Sequence, residues 1–170
     1  PPSSGLFNGL LDEVKVYNRV LSSFEIQDIR TGLIAHYEFD GNANDSIGNN
    51  HGEEHGGIKY ASGVSGQAGL FDGIDDYITA NAALNSDTSF SITAWVKPTF
   101  IDGNYAHTII FERDSAGNDA CGSSSSGNYG LQVYEGKFSF DTATYDTSGN
   151  CNLTRIFSDT LPSLNEYNFV

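Results

Sequence analysis

Apolar and polar residues alternate with a period of two along most of this chain, the pattern of strands with one buried and one wet face. The best instance is Phe90 to Lys97, where Phe90, Ile92, Ala94 and Val96 share one face and Ser91, Thr93, Trp95 and Lys97 the other. Leu10 to Tyr17 reads the same way, with Leu11, Glu13, Lys15 and Tyr17 set against Asp12, Val14 and Val16. Leu33 to Phe39, Ala68 to Phe71, Tyr77 to Thr79, Ala106 to Glu112, Gly130 to Tyr134 and Lys137 to Phe140 are further short strands, and Glu166 to Val170 begins another. Glu135-Gly136 between two apolar runs predicts a two-residue hairpin turn. One helix interrupts the series. Ser22 as cap, Glu25 three residues on, and Leu21 with Ile26 as a hydrophobic staple predict two turns over Ser23 to Ile29, broken by Arg30-Thr31-Gly32. Short strands punctuated by turns predict an all-β antiparallel sandwich or jelly roll with one short helix.

Composition narrows the class. A chain of 170 residues has material for one domain. Gly, Ser, Asn and Asp make up about two fifths of it, which is turn chemistry and excludes a helical bundle. With 11 Phe, 9 Tyr and one Trp there is enough core material to exclude disorder. Acidic residues outnumber basic ones 22 to 8, for a net charge of −14, and the cations are scattered singly. That excludes a nucleic-acid partner, because phosphate binding needs clustered cations. No apolar run approaches the length of a membrane span, so no membrane insertion is expected, and no leader pattern opens the chain. Methionine is absent even at position 1, which predicts a piece of a longer protein. Cys121 and Cys151 sit in neither a metal nor a redox spacing. A disulfide between them, worth about 3–4 kcal/mol, is the reading adopted over two free thiols, which would suit a reducing compartment.

The polar stretch from Asp40 to Gly57 holds the candidate chemistry. Asp40, Asn42, Asn44, Asp45 and Ser46 place oxygen side chains at close intervals after a strand, as in loops that wrap a hard cation. It is not an EF-hand, since the sixth position is Asp45 and the twelfth His51. A capped turn of Asx hydrogen bonds without metal competes with the calcium reading. His51 and His55 have a zinc-like spacing, but it converges only on a helix and this stretch is too Gly-rich for one. Asp72-Gly73-Ile74-Asp75-Asp76 reads as a turn between strands, and Asp114 to Asp119 as a polar loop tip. Asn44 and Asn152 head N-x-[ST] sequons, and a glycan on Asn44 would exclude it from a metal.

The segments Leu33 to Gly52, Gly66 to Ile78 and Phe90 to Pro98 together resemble the first half of a laminin-G-like domain with the concanavalin A-like jelly-roll fold. Phe7 to Ser22, with Glu25-Ile26 after it, resembles the closing strand and terminal helix of the same family. The order departs from the family, because the closing motif precedes the opening one. Residues 1–30 thus read as the end of one unit and 31–170 as the N-terminal and central part of the next, truncated at the C-terminus. Three arrangements fit: neighbours in a tandem array, a fragment cut from one, or parts that pack as a single sandwich. The resemblance implies a structural Ca2+ held by Asp40, Asn42, Asn44 and Asp45, with Asp12 of the closing motif. It also implies a secreted or cell-surface setting.

Three function classes compete for a sequence of this kind. Glycoside hydrolases of this fold carry paired carboxylates on one strand, and no such pair, nucleophile elbow or phosphate loop occurs here, so the chain is not expected to be an enzyme. A carbohydrate-binding module would use aromatic residues near loops, with Tyr105, Tyr129 and Tyr145 as ligand residues and Tyr60 as a further candidate. Trp95 is expected to be packed. The preferred expectation is an extracellular adhesion or assembly module. Its partners would be a glycan or extracellular protein, and neighbouring repeats or subunits that complete the sandwich.

Overall fold

The computed structural model describes residues 6–22, 32–81, 89–101, 106–111, 129–145 and 151–170, with the side chains of 144 and 145 excepted. Twelve strands run in chain order: β1 (Asn8–Tyr17), β2 (Leu33–Tyr37), β3 (Glu53–His55), β4 (Lys59–Ser62), β5 (Gln67–Asp72), β6 (Tyr77–Thr79), β7 (Ser91–Pro98), β8 (His107–Phe111), β9 (Tyr129–Tyr134), β10 (Lys137–Tyr145), β11 (Cys151–Phe157) and β12 (Asn168–Phe169). The described residues contain no helix, and the one expected over Ser23 to Ile29 lies outside them.

The chain is all-β with antiparallel strand pairing. A six-stranded sheet runs β12-β7-β1-β5-β4 with β2 also on β1, a four-stranded sheet runs β11-β10-β9-β8, and β3 pairs with β6. β1 is the centre of the larger sheet. One edge pairs with β7 through Leu11↔Val96 and Asp12↔Trp95, while the other takes β5 along its first half and β2 along its second. The strand of the closing motif therefore sits among strands of the 31–170 segment.

Alternation places the core. Ala94 and Val96 of β7 are sealed, as the pattern of Phe90 to Lys97 requires, and they join Leu11, Val14, Val16, Ala35, Tyr37, Phe71, Tyr129, Val133 and Phe138 in one cluster drawn from both sheets. Trp95 faces the other way and rests on Phe169, ring centroids 5.1 Å apart. β1 keeps its alternation only in part. Glu13 has φ 51 and the register shifts between Asp12 and Lys15, a bulge that lets Leu11 and Val14, three residues apart, both join the core, while Asp12 pairs with Trp95 and is buried on the opposite face. β10 and β9 meet at the hairpin Glu135-Gly136, both at positive φ (51 and 74), the geometry of a type I′ turn.

Cys151 opens β11 and carries no free thiol. Cys121 lies outside the described residues, so the pairing of the two stays an expectation.

Candidate cation site

The expected ligand set divides into two groups with different jobs. Asp45 and Asn42 are turn staples. Asp45, 4% exposed, accepts from the backbone N–H of His36 (3.1 Å) and Ile47 (3.2 Å) on Oδ1, and from Asn50 N–H (3.2 Å) and Asn50 Nδ2 (3.4 Å) on Oδ2. Burial works against its charge, yet the N–H groups of His36, Ile47, Asn50 and Gly48 hold the carboxyl below the usual aspartate range. Asn42 closes an Asx turn, accepting from Asn44 N–H (2.9 Å) and donating to the Asp40 carbonyl (3.2 Å). Asn44 is exposed. Both oxygens of Asp45 are thus committed to the protein, and the capped-turn reading describes that stretch better than a wrapped cation.

Asp12 and Asp40 converge on a different loop, the β4–β5 turn from Gly63 to Gly66. Asp12 Oδ2 accepts from Val64 N–H (2.6 Å) and Ser65 N–H (3.3 Å), and Asp40 Oδ1 from Gln67 N–H (2.6 Å). Gly63 N–H donates to the Gly66 carbonyl (3.1 Å), and Tyr167 O–H donates to the Ser62 carbonyl (3.1 Å). A Cβ at Gly63 would collide with Asp12 Oδ2, and one at Gly66, where φ is +58, with the Asp40 carboxylate. Only glycine admits these carboxylates so close to the turn.

Asp12 is fully buried, and among the described residues its Oδ1 has no hydrogen-bond partner. Burial pushes its pKa above the usual aspartate value, the charge of Glu13 adds to this, and the Ser65 and Val64 N–H groups oppose it. Burial, together with the Asp12 charge, also raises the Tyr167 phenol. A sealed carboxyl with one bare oxygen is settled either by keeping a proton or by meeting a cation.

The acids that gather most tightly were read from sequence as a turn. Asp72, Asp75 and Asp76 bring carboxylate oxygens within 4.8 Å of one another at the β5–β6 connection. Their hydrogen bonds are local. Asp72 Oδ1 accepts from Ile74 N–H (2.8 Å), and Asp76 Oδ2 from Asp72 N–H (2.9 Å). Burial, with the charges of Asp72 and Asp75, lifts the Asp76 carboxyl above its ordinary range. The turn expected for Asp72-Gly73-Ile74-Asp75-Asp76 is the one seen between β5 and β6, and its D-G-x-D-D spacing is what brings the three acids together.

The histidines do not converge. His51 Nδ1 accepts from Asp45 N–H (3.2 Å), and His55 stacks on Tyr77 with centroids 4.4 Å apart. Of the expected ligand tyrosines, Tyr129 is corrected to a core residue. It is 7% exposed, tilted against Phe90 (4.7 Å) and stacked with Phe140 (6.4 Å), because its position in β9 points between the sheets. Tyr105 and the Tyr145 side chain lie outside the described residues. Tyr60 donates to Glu54 Oε1 (2.5 Å) and is tied into the turn region.

At the open side of the sandwich, β11 and β12 are end strands of their sheets. A groove of about 390 Å³ lies between them, lined by Phe138, Phe140, Ile156, Phe157, Phe169 and Val170 among others. Ile156 is 64% exposed there. No protein-family model, no curated protein and no solved structure matches the chain.

Proposed function

We infer that the chain is a non-catalytic assembly or adhesion module of a secreted or surface protein, a jelly roll of laminin-G-like type whose β1–β4/β5 corner is tied by Ca2+. The observation that carries the assembly reading is the largely apolar groove between β11 and β12, which end their sheets among the described residues. Backbone groups on those edges offer hydrogen bonds, and the groove between offers apolar area, so the fitting occupant is a strand from a neighbouring repeat or subunit. Under this reading the protein self-associates at micromolar concentration in sedimentation equilibrium, and Ile156→Lys, at a residue 64% exposed, makes it monomeric without lowering its melting temperature. A wild type that stays monomeric at several hundred micromolar and binds no apolar dye sinks the reading.

For the cation, Asp12 Oδ1 supplies the fit: an orphaned, buried carboxylate oxygen, with the Asp40 carboxylate on the same turn and oxygen donors throughout. Calcium prefers six to eight oxygens, so the two acids would be joined by backbone carbonyls and water. Bound there, Ca2+ would neutralise a buried charge and tie β1 to the β4–β5 turn. At a hundredfold excess over its dissociation constant, Ca2+ is expected to add about 2.7 kcal/mol of stability, a rise of about 5–10 °C in melting temperature for a chain of this size. Asp12→Asn abolishes the rise while Asp45→Asn retains it. Equal melting temperatures in Ca2+ and in chelator count against the site.

A glycan-binding role is the second reading. What favours it is the aromatic pair Tyr134 and Phe157 on the four-stranded sheet, ring centroids 6.4 Å apart, a surface suited to the C–H face of a sugar ring.

A further inference from the structure

Glu13, His36 and Ser46 come from three separate places in the chain and end in one hydrogen-bonded line. Glu13 sits at the bulge of β1 with φ 51, and bulges re-aim the side chains they carry. His36 lies on β2 directly opposite Lys15 of β1, and its Nε2 meets Glu13 Oε2 at 2.8 Å. Ser46, in the loop after β2, brings its Oγ to 3.2 Å from His36 Nδ1, with the His36 carbonyl as a second acceptor at 3.3 Å. The Ser46 N–H donates to that same carbonyl (2.8 Å), and the Asp45 carboxylate holds the His36 N–H (3.1 Å), so the serine is pinned beside the strand.

The order of groups fixes the protons. An ionised carboxylate only accepts, so Glu13 selects the neutral ring tautomer with its proton on Nε2 and leaves Nδ1 as a bare acceptor facing the Ser46 hydroxyl. A nucleophile, a base within hydrogen-bond reach of it and a group that orients the base are the arrangement that activates a serine. The carboxylates of Glu13 and of Glu38, 3.8 Å from Nδ1, stabilise the imidazolium that forms when the hydroxyl gives up its proton, while Lys15, 3.2 Å from Glu13, tempers them. The His36 side chain is 13% exposed and Ser46 is open to solvent, so the base is shielded and the nucleophile is reachable.

We propose that Ser46 is an acylation site, a nucleophilic serine that accepts an acyl group from an activated ester or thioester. Ser46 Oγ bonds to the acyl carbon as its proton passes to His36 Nδ1; the bond from that carbon to the leaving oxygen or sulfur breaks, and the leaving group takes the proton from His36. Turnover is not expected. The N–H groups of Asp45, Ser46, Ile47 and Gly48 are already committed to His51, His36 and Asp45, so the backbone beside Ser46 offers no oxyanion donor. Loss of one such donor costs about 10²–10³ in rate. An aryl oxide or thiolate leaves well enough to react without that help, whereas the serine alkoxide of the resulting ester does not, so the adduct accumulates. Capture is stoichiometric and involves neither the groove between β11 and β12 nor the Asp12–Asp40 corner, so it stands or falls apart from the assembly and calcium readings.

The probe is p-nitrophenyl acetate on the whole chain, followed by peptide mapping, with acetylation of the exposed Lys59 as an internal clock. Ser46 is expected to acquire one acetyl group, and Ser46→Ala to lose that adduct alone. His36→Gln should slow the acetylation of Ser46 about a hundredfold, the size of a general-base contribution, and Glu13→Gln should slow it less, with Lys59 keeping its rate in both. Wild-type acetylation of Ser46 should show a normal solvent deuterium isotope effect that His36→Gln lacks, a signature that a purely structural histidine would not carry. Circular dichroism checks the fold of each variant, and if His36→Gln does not fold, Glu13→Gln decides. Acetylated Lys59 beside unmodified Ser46 overturns the proposal, and so does a Ser46 rate that the folded variants leave unchanged.

Discussion

Replacing Arg155 by alanine is expected to cost about 3–5 kcal/mol of folding stability, because it leaves a buried carboxylate without its counter-charge. Asp141 is 2% exposed and takes three donors, two of them from Arg155. Its hydrogen bonds to Asp141 raise the arginine above its ordinary pKa, against the opposing effect of burial. Removing the guanidinium also strips the Tyr134 ring of its stacked cation. The loss therefore exceeds the net worth of the pair, since most of it is the penalty for a sealed anion. The double variant Asp141→Leu, Arg155→Met should recover most of it, as apolar replacement of a whole buried pair usually does. Urea unfolding of wild type, single and double variants decides the matter. A single variant within about 1 kcal/mol of wild type would show that water already screens Asp141.

Asp45→Ala is expected to cost about 2–4 kcal/mol, since it leaves the N–H groups of His36, Ile47 and Asn50 unpaired at once. Asp45→Asn falls between, because its amide turns a donor toward donors. The pH dependence has a definite sign. The carboxyl lies below the ordinary aspartate range in the folded state, so its contribution is complete above the unfolded pKa of about 4 and is lost as pH falls through the lower, folded value. The gap between wild type and Asp45→Asn should accordingly be widest at neutral pH and close at lower pH. A gap that is unchanged from pH 7 to pH 2 would mean that the charge of Asp45 does nothing for the turn.

Particular residues show how much was legible in advance. The faces of β7, the hairpin at Glu135-Gly136 and the limits of β6 follow from period-two patterning and turn chemistry, which act locally. The expected strand ran to Phe39, whereas β2 stops at Tyr37 because Phe39 takes φ 56, a choice made by the turn that follows and invisible to alternation. β3, Glu53 to His55, has no apolar residue and exists by pairing with β6. β11 escaped notice because an edge strand exposed on both faces shows no alternation. In the candidate site, residue type and spacing picked out Asp12, Asp40 and Asp45 together. They could not tell a carboxylate consumed by its own loop from one left with a bare oxygen, because the difference lies in the bulge at Glu13 and the glycines of a turn more than fifty residues from Asp12.

The central place of β1 bears on how the chain is made. Its partners Val96 and Trp95 lie more than eighty residues downstream. At ribosomal rates of about 5–20 residues per second, Leu10, Leu11, Val14 and Val16 wait on the order of 4–16 seconds for β7 to emerge. Until then β2 and β5 can pair only the other edge of β1, so one edge of the future middle of the larger sheet stays open, and non-local pairing of this kind is slow even once its partner is present. Shielding of that open edge during synthesis should therefore matter, and the yield should depend on chaperone supply more than the final stability would suggest.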